Sequence, residues 1–453
     1  MVPDSRLLKA VETLGYRVTV GDVATQAGLD IRLAEQELLA LASEANGHLQ
    51  VAESGDIVYR FPKNVRAILR NNSLKLRLQE LGQRIWSGLF YLIRIAFGVV
   101  LIASIVVVAI AVFLLWKAAQ GQQEGNSRGR DSYGSGGFPA IHVFPFSLHD
   151  IFVLDYYGRR RREWSPQRRS PVGRSPRTSG SQPKLNFLEA VFSFIFGDGN
   201  PNEDLGDRRW RMIAGVIRNH GGAVTAEQIA PYLDLPPVDQ RSDSVDLEDY
   251  MLPVLQRFKG SPQVSPSGGL IYHFPALQVM AEQNGSQPVP DYLKESLWPF
   301  SVASPTQRTW AIGLGIVNLA VVIAFESLFS YESFARLSEA GQLIVGAVEA
   351  GFWVFLGYAI AFLLIPLLRH LWLRRTNHKI EQRNHHRFEW ANQLDQPSTD
   401  IQEKLAYARR FSAETIVSAE DLAYTTEMDL MTQELLSAEA IDQDWRERLE
   451  KRL

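Results

Sequence analysis

Two glutamates stand out in the sequence because they interrupt long apolar runs. Glu326 lies near the end of the run Trp310–Ser330, and Glu349 lies near the start of the run Leu343–Leu368. If the runs are antiparallel helices, both carboxylates lie about 6–9 Å inside the same membrane face, at about 1.5 Å per residue. Intramembrane carboxylates often carry protons or ions. The pair therefore predicts either such a relay or, as we favour so near an interface, a structural or partner contact.

A second group of candidate residues is strongly basic. Arg159, Arg160, Arg161 and Arg162 lie in Gly158–Thr178, a stretch rich in Gly, Ser, Pro and Arg with few apolar side chains. Such a composition is typical of a disordered linker. A basic cluster can bind anionic lipid headgroups at about 1 kcal/mol per residue. A solvated spacer with no specific partner is the equally weighted alternative.

Histidine and cysteine give no indication of a metal or catalytic site. Cysteine is absent, which excludes disulfides, thiolate-bound zinc, self-ligated iron–sulfur clusters and thiol nucleophiles. The loose histidine cluster matches no metal motif and is flanked by Arg and Lys; its members are His370, His378, His385 and His386. There is no Ser–His–Asp arrangement, phosphate-binding loop or paired-acid motif. We predict no enzyme activity, no cofactor and no metal.

The elements that hold these residues are mainly membrane helices. The runs Trp310–Ser330 and Leu343–Leu368 form a predicted transmembrane hairpin within residues 310–368, with a loop at Tyr331–Gln342. A basic lead-in and a third span occupy residues 63–116, in which Ile95–Leu115 has no charge and Arg94 can snorkel to the headgroups. Trp86, Tyr91 and Trp116 are placed as interfacial anchors.

The charges around the spans predict an orientation. Residues 1–60 have no central apolar run typical of a cleavable signal, so insertion is expected to use the internal spans. The basic segment Arg369–Arg387 predicts a cytoplasmic C-terminus. Three spans would then place the N-terminal segment on the side opposite residues 205–275, although charges flanking the first span are nearly balanced.

Two soluble segments show one pattern. Residues 1–62, the N-terminal module, and residues 205–275, the second module, each read as three helices followed by a β-hairpin. The hairpins VAESGDIVYRFP (Val51–Pro62) and VSPSGGLIYHFP (Val264–Pro275) share Val, Ser, Gly, Tyr, Phe and Pro in register. We interpret the pair as a duplicated winged helix-turn-helix module.

Acidic third helices argue against nucleic-acid binding by these modules. The third helix of the N-terminal module carries Glu35, Glu37 and Glu44 against Arg32 alone, and the corresponding helix of the second module is opened by acids. Because phosphate neutralisation supplies most nucleic-acid affinity, such a helix repels the backbone. Protein partners are the favoured alternative.

The remaining segments complete the predicted organisation: a Gly/Ser/Pro/Arg-rich linker at 117–184, an amphipathic apolar helix at 185–204, a linker at 276–309 and a basic, then acidic helical tail at 369–453. The apolar helix is expected to lie in the membrane interface or, as we favour, to dock on the second module. The predicted fold is mainly α, with three transmembrane helices, two winged helix-turn-helix-like (α+β) soluble modules and a helical C-terminal tail.

Two stretches carry a resemblance to a known family. FLEAVFSFIFGDGNPNEDLGDRRWRMIAGVIRNHGGAVTAEQIAPYLD (Phe187–Asp234) and FPFSLHDIFVLDYYGRRRR (Phe144–Arg162) resemble a family of uncharacterised membrane proteins of cyanobacteria and plant plastids. Members are often labelled iron–sulfur cluster biosynthesis family proteins, a label that a cysteine-free chain does not support. The resemblance implies an integral protein of a cyanobacterial thylakoid or plasma membrane.

Three functions follow as hypotheses. The first is a membrane-anchored adaptor or assembly and maintenance factor that binds protein partners through its soluble modules. The second is a small ion- or proton-coupled membrane component that uses Glu326 and Glu349. The third is a membrane-tethered nucleic-acid-binding regulator.

Overall fold

A computed structural model describes residues 4–72, 74–120, 186–236, 247–282, 288–418 and 421–429, with 431–432, 435 and 445–446. The chain forms two compact units. Unit 1 comprises Met1–Gln83, Asn200–Leu297 and Asn377–Leu453, and unit 2 comprises Arg84–Gly199 and Trp298–Thr376. Arg159, Arg160, Arg161 and Arg162 lie outside the described residues, as does most of the predicted linker 117–184.

The N-terminal module contains three helices and three strands in unit 1. They are α1 (Ser5–Thr13), β1 (Arg17–Thr19), α2 (Val20–Ala27), α3 (Ile31–Glu44), β2 (His48–Ala52) and β3 (Ile57–Arg60), followed by α4 (Val65–Asn72). Side-chain caps fix where the helices begin: Asp4 accepts from the backbone of Arg6, Asp30 from that of Arg32, and Thr19 and Asp22 form a capping box. Gly28 ends α2 in the left-handed conformation.

The second module has the same order of elements, with a longer first helix and shorter second and third helices. They are α7 (Leu205–Asn219), β4 (Ala223–Val224), α8 (Ala226–Ile229), α9 (Leu252–Phe258), β5 (Ser261–Val264) and β6 (Leu270–His273). The second helix changes to a 3-10 turn at Ala230–Tyr232, and the third begins with a 3-10 turn at Leu247–Met251. Pro231 and Pro253 lie at these transitions, where the missing amide prevents a regular helical hydrogen bond.

The strands of the two modules form antiparallel sheets of matching order. One has the order β1-β3-β2 and is extended beyond β2 by β9 (Leu422–Thr425), and the other has the order β4-β6-β5. Val18 pairs with Tyr59 in the first, and Val224 pairs with Tyr272 in the second. Each hairpin turn contains a glycine with φ +86, Gly55 or Gly268, a conformation that favours glycine.

The C-terminal tail is only partly helical, which corrects the prediction for residues 369–453. After α14 (Thr399–Ala408), β8 (Thr415–Ile416) pairs in parallel with β7 (Val279–Met280), and β9 (Leu422–Thr425) pairs antiparallel with β2. The outer edge of β2 offers unpaired backbone groups, and β9 satisfies them. This pairing joins residues far apart in the chain, so local helical spacing could not reveal it.

The two modules share one hydrophobic core within unit 1. Leu38 and Leu41 of α3 belong to the same buried cluster as Ile217 of α7 and Phe258 of α9. Segments that share a core cannot lie on opposite sides of a membrane. This shared core disagrees with the orientation expected from three spans, in which the N-terminal module lies opposite residues 205–275.

Among the described residues of unit 2, three helices are long and apolar enough to cross a membrane. They are the part of α5 (Leu74–Gln120) from Gly88 onwards, α10 (Pro305–Leu328), and the apolar part of α13 (Phe352–Asp395). Leu101 and Ile105 pack with Ala311 and Leu314, whereas Leu115 packs in the cluster of Phe325. α5 and α10 therefore run parallel to each other.

The second predicted run of the hairpin is interrupted. Between α10 and α13 lie α11 (Tyr331–Ala335) and α12 (Glu339–Ala350), so Leu343–Leu368 is divided at Gly351 and is not one helix. Glycine disfavours a helix interior because it loses the most backbone entropy. The predicted loop Tyr331–Gln342 is correspondingly helical over much of its length.

The apolar helix after the linker is α6 (Phe187–Phe196), in unit 2. Val191, Phe194 and Ile195 pack against α5, α10 and Phe362 of α13, and Ser193 is fully buried. The prediction that this helix docks on the second module is wrong. Its apolar residues cover most of its circumference, which suits a helix enclosed by others better than a surface helix.

Candidate functional site

The two acids that the sequence predicts to lie within the membrane are at one end of the unit 2 bundle. Glu326 is near the end of α10 and Glu349 near the end of α12, beside Phe325 and Val348 of one buried cluster. Both side chains are exposed on the bundle surface. Within the described residues neither carboxylate has an ion-pair partner, so their relay or contact role stays a prediction.

A polar pair that the sequence reading missed lies inside the bundle. Ser104 of α5 donates to the side-chain carbonyl of Asn318 on α10 at 3.2 Å, and both residues are buried. Polar pairs of this kind hold membrane helices together because hydrocarbon offers no other partner. The only signal in the sequence is an amide residue midway through an apolar run.

The four histidine candidates contact three different side chains and do not converge on one site. His385 and His386 both contact Glu389, at 3.2 and 3.3 Å, His378 contacts Gln382 at 3.3 Å, and the ring of His370 packs on Phe300. Within the part of the chain that the structure describes, no group of three or more His, Asp or Glu residues could hold a metal ion.

Two arginines of the basic segment Arg369–Arg387 form ion pairs inside unit 1. Arg383 Nε donates to Glu295 Oε1 at 2.8 Å, and Arg387 contacts the same oxygen at 2.9 Å. Arg387 also bonds to Asp234. Burial would raise the pKa of Glu295, but the hydrogen bond from Arg383 and the charge of Arg387 outweigh it and hold that pKa below its usual range.

The modules are joined by a buried ion pair. Asp22 Oδ1 accepts from Arg218 Nη2 at 2.6 Å, and Asp22 Oδ2 accepts from the backbone amides of Thr19 and Ala281 at 2.9 Å. Asp22 is 1% exposed and Arg218 7% exposed. The carboxylate thus connects α2 with α7 and with the segment after β7.

The third helices of the modules also face each other. Arg257 of α9 donates two hydrogen bonds to the carbonyl of Gly28, just before α3, the shorter at 2.6 Å. Lys259, which ends α9, contacts Glu35 of α3 at 3.2 Å. In a DNA-binding winged helix this helix enters the major groove, so the surface that would read DNA is partly covered here by the second module.

A groove of about 750 Å³ lies in unit 1 between α7, α13 and the tail. Its floor includes the buried residues Val216, Ala223 and Ala408. Its rim carries three exposed acids, Asp291, Asp395 and Glu414, together with the exposed basic residues Arg409 and His220. Tyr232 also lines it and donates to the carbonyl of Pro290 at 2.6 Å; burial raises the pKa of Tyr232. The volume and mixed lining fit a peptide or small ligand.

Comparison with known proteins identifies the family. The chain is 35% identical over 443 residues to "Uncharacterized protein At5g03900, chloroplastic" of Arabidopsis thaliana, covering 94% of this chain and 79% of the relative. The chain belongs to the family of this chloroplast protein. No family model and no solved structure matches it.

This family membership agrees with the plastid part of the sequence resemblance. The name of the relative gives its compartment, the chloroplast, and makes no reference to iron–sulfur clusters. Together with the three helices long enough to span a bilayer, it fits a membrane-associated plastid-type protein.

Proposed function

We propose that the chain is a membrane-anchored adaptor or assembly and maintenance factor whose unit 1 binds protein partners. The observation that carries this proposal is the mutual packing of the two modules through α3 and α9. This arrangement leaves the groove of unit 1 as the open, structured surface for a partner.

We further propose that the modules are duplicated winged helices. The matching strand orders, the Val–Tyr pairs at Val18 and Val224, and the equivalent turns at Gly55 and Gly268 support this assignment. A duplicated fold packed on itself forms a rigid double module, which suits a platform for partners.

A basic segment of a partner protein is the occupant we assign to the groove. Asp291, Asp395 and Glu414 give the rim three carboxylates against the single permanent cation Arg409. Charge complementarity of this kind steers association and selects partners, and the apolar floor supplies the area to be buried.

The proposed location is a photosynthetic membrane, either the plastid membrane system or the thylakoid or plasma membrane of a cyanobacterium, with the C-terminus on the cytoplasmic side. The chloroplast relative supports the first alternative. The internal pairing of Arg383 and Arg387 reduces the basic signal of α13, but the exposed Arg374, Arg375 and Lys379 still support the orientation.

A site-specific photo-crosslinker at Asn392, an exposed groove residue, tests the adaptor function. The full chain in its native membrane is expected to give a discrete crosslinked protein, while the same probe at the exposed turn residue Ser54 is not. Reversing the rim with Asp291→Lys and Glu414→Lys should abolish that crosslink. Crosslinking that is unaffected by charge reversal, or a full chain that is a monomer without partners in mild detergent, would contradict the proposal.

The two other hypotheses have separate tests. Glu326 and Glu349 are exposed, which agrees with an ion-coupled role at a contact with another membrane protein. If the double variant Glu326→Gln with Glu349→Gln functions in the membrane as the unsubstituted chain does, the ion-coupled hypothesis is removed. A nucleic-acid regulator would require DNA binding that weakens steeply with salt.

A further inference from the structure

A polar cluster lies where α6 ends in unit 2. Asp198 Oδ2 accepts from the hydroxyl of Ser193 at 2.7 Å and from the backbone amide of Val302 at 2.8 Å. The hydroxyls of Ser193 and Ser301 are 2.6 Å apart. These bonds fix one carboxylate firmly at the end of a buried helix.

Two arginines flank this carboxylate with their hydrogen-bonding capacity largely unused. Arg94 Nη2 lies 3.5 Å from Asp198 Oδ1, while Arg369 Nη1 donates to the carbonyls of Ser193 and Phe194 at 3.3 and 3.0 Å. Among the residues that the structure describes, the buried atoms Arg94 Nε and Arg369 Nη2 have no hydrogen-bond partner. An arginine carries five N–H donors, and leaving buried ones unpaired costs free energy.

Aromatic rings hold both guanidinium groups in place. Arg369 lies over the ring of Phe300 at 4.6 Å, and Arg94 lies 5.5 Å from the ring centre of Phe192. Gly197 allows this approach, because a Cβ there would come within 3.1 Å of the Arg369 guanidinium. Two cations are therefore fixed around one anion, which leaves one positive charge without an anionic partner in the cluster.

The cluster lies at the level where membrane headgroups are expected. Arg94 precedes the charge-free stretch Ile95–Leu115 of α5, and Arg369 directly follows the apolar run that ends at Leu368. Trp298 and Trp372 pack edge-to-face with centroids 5.7 Å apart in the same unit, and tryptophan is enriched at membrane interfaces.

We propose that Arg94 and Arg369 form a binding site for the phosphate group of an anionic membrane lipid. A phosphate oxygen matches the planar donor pattern of arginine and supplies acceptors for the two unpaired N–H groups. It also supplies the negative charge that Asp198 alone does not provide. The soluble source of the same chemistry is free phosphate, which lacks acyl chains to lie along the bundle.

Thermal unfolding of the full chain in detergent tests this site, because a ligand that binds the native state raises its Tm. Dihexanoyl phosphatidylglycerol is expected to raise the Tm by several degrees, and dihexanoyl phosphatidylcholine or inorganic phosphate by much less. Arg94→Gln with Arg369→Gln should remove the shift, whereas Arg374→Gln, an exposed arginine one turn further along α13, should retain it.

The remaining outcomes overturn the proposal. An equal shift with phosphatidylcholine would mean that charge is not recognised, and an equal shift with inorganic phosphate would mean a soluble ligand. Loss of the shift in Arg374→Gln would mean diffuse attraction to the basic surface. If the double variant does not fold, native mass spectrometry measures the phosphatidylglycerol that the variants Arg94→Lys and Arg369→Lys retain. If these variants retain as much of the lipid as the unsubstituted chain does, binding by the guanidinium groups is contradicted.

Discussion

At the residue scale, the buried contacts of unit 1 connect residues that no sequence motif brings together. Asp22 follows Thr19 by three residues, a spacing from which their capping box can be recognised in the sequence. Its hydrogen bond with Arg218, in contrast, joins residues 196 positions apart in the chain. Glu295 likewise meets Arg383 across 88 positions. The caps could be predicted because they are local, whereas the ion pairs depend on how the modules pack.

Removing the charge of Asp22 from its buried ion pair with Arg218 should lower the free energy of unfolding of unit 1. Asp22→Asn leaves Arg218 without its counter-charge in a buried site, which costs about 3–5 kcal/mol for pairs of this kind. Hydrogen exchange of α2 and α7 amides in the full-length protein measures the loss. The matched control is Glu35→Ala, which removes the exposed contact with Lys259 in the same module interface and should cost about 0–1 kcal/mol. Equal losses in the two variants would contradict this ranking.

The network around Glu295 should make unit 1 sensitive to acid. The pKa of Glu295 is lowered in the folded protein, so its stabilisation is fully present above the unfolded value of about 4.3 and is lost as pH falls through the lower folded value. Glu295→Gln should lower the Tm at pH 7 and flatten its decline in acid. Glu381→Gln, at an exposed glutamate of α13, should leave the profile unchanged; a Glu295→Gln profile parallel to that of the unsubstituted chain would disprove the linkage.

At the element scale, a difference between β2 and β5 explains why β9 of the C-terminal tail pairs with β2. Leu49 of β2 and Pro262 of β5 occupy matching places, since each pairs with the tyrosine of the neighbouring strand, Tyr59 or Tyr272. The amide of Leu49 donates to Thr426 Oγ1 at 2.9 Å, and proline has no such donor. The hairpins were predictable from local alternation and turn glycines, but β9 was not.

Leu49→Pro should therefore loosen the tail. The substitution removes the donor to Thr426, and the backbone at the equivalent place already holds a proline in the second module. Limited proteolysis near residues 421–427 should become faster. Pro262→Leu is the control and should leave cleavage there unchanged. A tail equally protected in both variants would show that the β2 edge does not hold it.

At the scale of the whole molecule, the sequence predicts three spans and two modules, but it does not predict that the two modules share one core. The spans follow from length and apolar composition, which a helix in hydrocarbon must satisfy along its whole length. Gly351 and the apolar circumference of α6 are local signals of the break and of the enclosure, whereas the choice of the helices that enclose α6 depends on packing across the bundle. The shared core of the modules, formed by residues such as Leu38 and Phe258, overrides the orientation suggested by counting spans.

The packing of both modules into one unit has a direct test because the chain contains no cysteine. Ser54→Cys and Ser267→Cys place one thiol in each of two equivalent exposed turns. In sealed membrane vesicles of defined orientation, a membrane-impermeant maleimide should label both variants from the same side and neither from the other. Labelling of the two positions from opposite sides would contradict the shared core and the adaptor function built on it.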